Sequence, residues 1–215
     1  MKREGDLAGL TDGKLYRGSD MARLGCNECE GCSACCRGMG NSVVLDPYDV
    51  HRLEKGLGKP FAQMIGQEIM LSVVDGLILP SLNMEATGVC PFLNEAGRCR
   101  IHAFRPGICR LFPLGRYYHD GGFSYVLMTG ECKKENRTKI KIEKWLGEEN
   151  LPEYEAFVMR WKHIQEKARE EIAKGLATLS GEEAMVRQKE QSMALLAKYY
   201  LQPYEEEFFG ELSHR

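Results

Sequence analysis

Nine cysteines occur in 215 residues, and five of them, Cys26, Cys29, Cys32, Cys35 and Cys36, fall within eleven consecutive positions. The other four, Cys90, Cys99, Cys109 and Cys132, are dispersed. The run Cys29-x2-Cys32-x2-Cys35-Cys36 brings several thiolates to one short loop, the geometry that a soft metal ion or an iron-sulfur cluster requires. Disulfides are the competing use for so many cysteines. The count is odd, and a chain of 215 residues can build a core without covalent staples. The N-terminal stretch Met1-Lys2-Arg3-Glu4-Gly5-Asp6-Leu7 is charged and has no apolar segment of the secretory kind, which predicts a reducing, cytoplasmic setting that disfavours disulfides.

Spacing bears on the kind of centre. Structural zinc sites usually pair two C-x2-C knuckles, because each offers two ligands at tetrahedral angles. No second knuckle exists here: the later cysteines are separated by eight, nine and twenty-two residues, so each must arrive from a different loop or strand end. Cys26, Cys29, Cys32 and Cys35 resemble instead the ferredoxin run C-x2-C-x2-C, and Cys90-Pro91 echoes the Cys-Pro of that motif. A two-cluster ferredoxin needs a second such run, which is absent. On an extended chain the adjacent Cys35 and Cys36 would point in different directions and serve different sites, or leave one thiol in the core.

Arg37, Arg98, Arg100, Arg105, Arg110 and Arg116 lie near the cysteines in sequence. Guanidinium groups can hydrogen-bond sulfur and offset thiolate charge, and Arg105, held by Pro106 in the loop delivering Cys109, and Arg110 are the candidates for contact with a bound cofactor. His102 is a candidate nitrogen ligand, whereas His51, His119, His163 and His214 are expected to face solvent. Other chemistries lack their residues. Cys32-x3-Cys36 begins the radical S-adenosylmethionine pattern, but Met39 stands where the third cysteine belongs, and there is no phosphate loop, dinucleotide fingerprint or G-x-S-x-G elbow.

These residues resemble the YkgJ-type cysteine-cluster proteins, described as zinc- or iron-chelating and often called iron-sulfur proteins. Their CxxCxxCC motif reads here Cys29-Glu30-Gly31-Cys32-Ser33-Ala34-Cys35-Cys36, and their C-P-x-L segment reads Cys90-Pro91-Phe92-Leu93. The next block runs Cys99-Arg100-Ile101-His102-Ala103-Phe104-Arg105-Pro106-Gly107-Ile108-Cys109-Arg110, and Cys132-Lys133-Lys134 closes the pattern. The resemblance covers roughly residues 26 to 140. It implies that Cys29, Cys32, Cys35, Cys36, Cys90, Cys99, Cys109 and Cys132 are the metal ligands, with Cys26 an extra residue ahead of the motif and His102 standing where tyrosine is usual. Eight thiols exceed the needs of one four-ligand centre, so two sites share them or some pack around a single site.

Around this cluster the chain must build the elements that aim it. Asp46-Pro47 opens a helix with Val50 and Leu53 inward and Gly56 and Gly58 at its end, and Pro60 starts another. Leu71 to Leu82 reads as a hairpin about Asp75-Gly76, and Leu111 to Met128 as a second one about His119-Asp120-Gly121-Gly122. The first 25 residues are expected to drape over the domain, and the basic run Lys133 to Lys144 to form a solvated helix face. One helical stripe is Phe157, Trp161, Ile164, Ala168 and Ile172, and another Val186, Met193, Leu196 and Tyr200. The tail Glu205-Glu206-Glu207 reads as a solvated end.

The expectation is an α+β fold, a small irregular metal-centred domain over 1–140 with short antiparallel strands and packed helices, followed by a helical C-terminal extension over 141–215. With 29 basic and 31 acidic residues the net charge of −2 argues against a nucleic-acid partner, and no run of 18 apolar residues predicts a membrane span. The leading function is an iron-sulfur protein (4Fe-4S being the ferredoxin-like form) acting with a protein partner or redox enzyme as an electron or cluster carrier. A structural zinc module is the alternative. A component of a protein lysine methylation system is a further one, weakened by the absence of a glycine-rich S-adenosylmethionine site.

Overall fold

The computed structural model describes residues 7–26, 32–84, 87–176, 180–204 and 208–213. Cys29, His214 and Glu205-Glu206-Glu207 lie outside the described residues. A single turn, α1 (Leu7–Leu10), precedes β1 (Met21–Gly25), and a 3-10 turn over Ala34–Cys36 carries two cysteines. Helix α2 (Pro47–Leu57) starts at the anticipated cap: Asp46 Oδ1 accepts from Asp49 N at 2.8 Å while Asp49 Oδ2 accepts from Asp46 N at 3.2 Å, with Pro47 in the first turn. The short α3 (Phe61–Met64) follows Pro60, and β2 (Ile69–Val74) and β3 (Leu77–Leu82) form the expected hairpin about Asp75-Gly76.

Beyond them come α4 (Gly107–Leu111), β4 (Leu114–His119), β5 (Gly122–Leu127), β6 (Thr138–Lys141) and α5 (Ile142–Leu146). The chain closes with α6 (Leu151–Leu176), α7 (Gly181–Leu196), a π turn over Ala197–Leu201, and α8 (Phe208–Ser213). Among the described residues the strands form three separate antiparallel pairs, β1 with β6, β2 with β3, and β4 with β5. This is the mixed fold of helices and short antiparallel strands, with a helical C-terminal part, that the sequence predicts.

Several local expectations are corrected. Part of the basic run is a strand rather than a helix: Arg23 pairs with Lys139 and Met21 with Lys141. Lys139-Ile140-Lys141 alternates with a period of two, and the opposing Ala22 and Leu24 are buried. Residues 21–25 thus form a strand of the fold, and Tyr16 also exchanges two backbone hydrogen bonds with Tyr125, both 2.8 Å. The second hairpin begins at Leu114, not Leu111, because Leu111 is the last residue of α4 and Phe112-Pro113 links that helix to the strand. His51 is buried against Tyr204 and Phe208 rather than solvent-facing.

On α6 the buried face is the anticipated one, with Phe157, Trp161 and Ile172 inside. On α7 the expected face holds in part: Leu196 and, in the π turn that follows, Tyr200 are buried as anticipated. Val186 and Met193 are 53% and 43% exposed, while Ala184, Ser192, Leu195 and Leu196 are buried. The reason is polar: Gln188 Nε2 donates to Gly76 O at 2.7 Å and Ser192 Oγ accepts from Ile78 N at 3.2 Å, satisfying backbone groups of the hairpin that α7 covers. Buried side chains from Leu24 to Leu212 form one cluster, so the core crosses residue 140.

Candidate metal centre

Backbone pairing between distant segments assembles the cysteine region. Gly38 N donates to Gly88 O at 2.7 Å and Cys90 N to Cys36 O at 2.9 Å, which lays the segment after the CxxCxxCC run beside the one entering Cys90. Arg100 N donates to Phe92 O at 2.8 Å and Asn94 N to Arg98 O at 2.9 Å, closing a narrow loop. Gly97, at φ +71°, makes the turn of that loop, a conformation in which a side chain would be strained. The loop presents Cys99. A 3-10 turn over His102–Phe104 then leads through Arg105-Pro106 into α4, which carries Cys109.

These segments enclose a cavity of about 110 Å³ lined by Cys32, Cys35, Cys36, Cys90, Cys99 and Cys109. Arg98, His102 and Arg105 complete its polar wall, and Met39, Val43, Leu82 and Phe112 contribute to the apolar one. Six of the eight cysteines assigned by motif therefore share one cavity. Cys35 and Cys36 lie on a 3-10 turn, not an extended strand, and both residues line this cavity. Cys26, following β1, and Cys132, between β5 and β6, do not line it. Among the described residues no group of three or more Cys, His, Asp or Glu side chains stands close enough to hold an ion. The thiols surround the cavity without converging to coordination distance.

The cavity walls oppose ionisation. The hydrogen bond to Cys36, then burial, pushes the Cys35 thiol up, and burial does the same to Cys90, Cys99 and Cys109. Arg105 acts in the opposite sense on Cys35, Cys99 and Cys109, making it the cation felt by three thiols. A metal entering here must displace thiol protons, and the Arg105 guanidinium on the cavity wall then compensates the thiolate charge. A donor set dominated by sulfur, with His102 adding a nitrogen donor to the wall, suits zinc or an iron-sulfur cluster and is a poor match for hard cations.

Arg110 faces elsewhere. Each helical residue turns about 100° from the last, so the residue after Cys109 points into the core. Arg110 pairs with Glu148, donates to Leu146 O at 3.5 Å, and lies 5.3 Å over the Tyr154 ring. On the same side Asp49 of α2 accepts the backbone N–H of Gly107 at 2.6 Å. Asp46-Pro47 alone marks the cap of α2 in the sequence, and the signal for the part played by Asp49 is the pattern Asp46-x2-Asp49 of a reciprocal cap.

The model of the CxxCxxCC family, described as "Putative zinc- or iron-chelating domain", matches residues 28–144, more than half of the chain. No curated protein and no solved structure matches the chain.

Proposed function

The chain belongs to the CxxCxxCC family, and from that premise we propose that it carries an iron-sulfur cluster and serves a protein partner as an electron or cluster carrier. The observation that carries this reading is that one cavity is lined by six cysteines, Cys32, Cys35 and Cys36 from the motif loop and Cys90, Cys99 and Cys109 from later segments. Its volume of about 110 Å³ is several times the roughly 10–15 Å³ that one water molecule needs, which favours a multi-atom group over a lone ion. Cys29 and Cys132 join the ligand set through the family motif. A bound cluster would supply one-electron chemistry. The chain's own part is to bind through thiolates, to balance their charge with Arg105, and to keep water away with Met39, Val43, Leu82 and Phe112, all of which tune a reduction potential.

Metal analysis of anaerobically purified protein tests this. The expected result is coloured protein containing iron and acid-labile sulfide, with visible absorption that bleaches on reduction. Colourless protein with stoichiometric zinc overturns it in favour of a structural zinc module, which the same cysteine-rich donor set would suit.

A further inference from the structure

We infer that Asp49 is a positioning residue for the metal centre: it ties α2 to the first residue of the short helix carrying Cys109 and so holds that thiol in place. The inference rests on the reading of the cysteine cavity as a metal site. Its support is geometric. Asp49 is almost wholly buried, and its two carboxylate oxygens have separate tasks: Oδ2 accepts from Asp46 N and closes the cap of α2, while Oδ1 reaches across to Gly107 N. Gly107 opens α4, where the first backbone N–H groups have no partner within the helix, and α4 is only five residues long. A helix this short has little stability of its own and depends on outside contacts.

The contact also requires glycine at position 107. A Cβ there would overlap the Tyr154 hydroxyl while standing at ordinary contact distance from Asp49 Oδ1, so it is the buried Tyr154 ring that leaves room only for glycine where α4 meets the carboxylate. At the other end of α4, Arg110 is held by Glu148 and the carbonyl of Leu146. Cys109 thus sits between two fixed points, Gly107 on Asp49 and Arg110 on Glu148, with its own side chain turned into the cavity. Pre-positioning of this kind lowers the ordering cost of ligation, and partners behind metal ligands commonly govern retention.

The capping box supplies the control. Asp46 and Asp49 both cap α2, but only Asp49 reaches Gly107. In the full-length protein, purified anaerobically, Asp49→Ala should lose metal to excess chelator roughly 10-fold faster or more. It should also speed amide hydrogen exchange across residues 105–112. Asp49→Asn keeps an acceptor for Gly107 N and should restore both properties towards the parent values. Asp46→Ala should lower the melting temperature through the lost cap yet leave metal retention and exchange at 105–112 unchanged. Equal metal loss in Asp46→Ala and Asp49→Ala, or parental exchange at 105–112 in Asp49→Ala, overturns the inference. Parent protein that holds no metal overturns the metal reading instead, and exchange in the metal-free variants still decides whether Asp49 clamps α4.

Discussion

Tyr200, at the end of the last long helical segment, donates its buried hydroxyl to the carbonyl oxygen of Leu45 at 2.9 Å. Leu45 lies just before α2, and its own N–H donates to Pro80 O of β3 at 2.8 Å. The C-terminal helices are therefore fastened to the segment running from the cysteine loop into α2. Tyr200→Phe leaves the Leu45 carbonyl without this donor and should cost about 1–2 kcal/mol. Urea unfolding measures this, and a change below a few tenths of a kcal/mol would count against the bond's role.

Because buried side chains on both sides of residue 140 pack in one cluster, the chain should unfold in a single transition. Tryptophan fluorescence, reporting Trp145 and Trp161, and far-ultraviolet circular dichroism should give coincident midpoints. Two separated transitions would show that residues 141–215 fold on their own.

Cysteine substitutions should divide by position. Cys90→Ala, Cys99→Ala and Cys109→Ala each remove a thiol from the cavity wall and should lower metal content sharply, whereas Cys26→Ala should retain it. Cys132 stands in the proposed ligand set through the family motif, and Cys132→Ala is expected to lose metal as well. Full occupancy in that variant would remove Cys132 from the set.

Burial lowers the pKa of His51, with Lys55 adding to the effect and Glu211 opposing it. A histidine depressed in the folded state is held neutral there, and the unfolded chain takes up its proton first. Its contribution is complete above the ordinary value of about 6.5 and is lost as pH falls through that value towards the lower folded one. Stability should thus decline below about pH 6.5, and His51→Phe should flatten this part of the profile. Parallel profiles for the two proteins between pH 7 and 5 would show that His51 does not report through this linkage.

Gly107→Ala should be strongly destabilising because the new methyl meets the Tyr154 hydroxyl. Tyr154→Phe removes that hydroxyl, at the expense of its hydrogen bond from Arg116 NH2, 3.0 Å long. The two changes should be non-additive, the double variant losing less than the sum by roughly 0.5 kcal/mol or more. Strict additivity in denaturant unfolding would place the strain elsewhere.

What the sequence by itself determined were features written over a few residues. The thiol chemistry follows from the spacing Cys29-x2-Cys32-x2-Cys35-Cys36, the cap of α2 from Asp46-Pro47, the first hairpin from Asp75-Gly76, and the packed face of α6 from its period. Each depends on neighbours within about one turn, so local physics suffices. Tertiary structure decided whatever depended on a distant partner. Lys139 and Lys141 became strand residues because β1 offers a pairing edge more than a hundred residues earlier, and α7 turned Gln188 and Ser192 inward because the β2–β3 hairpin presents Gly76 O and Ile78 N to them. His51 was buried by aromatic residues near the C-terminus. The place of Cys36 on the cavity wall and the reach of Asp49 to Gly107 were set likewise, since a side chain's chemistry is local while the group it meets depends on how remote segments pack.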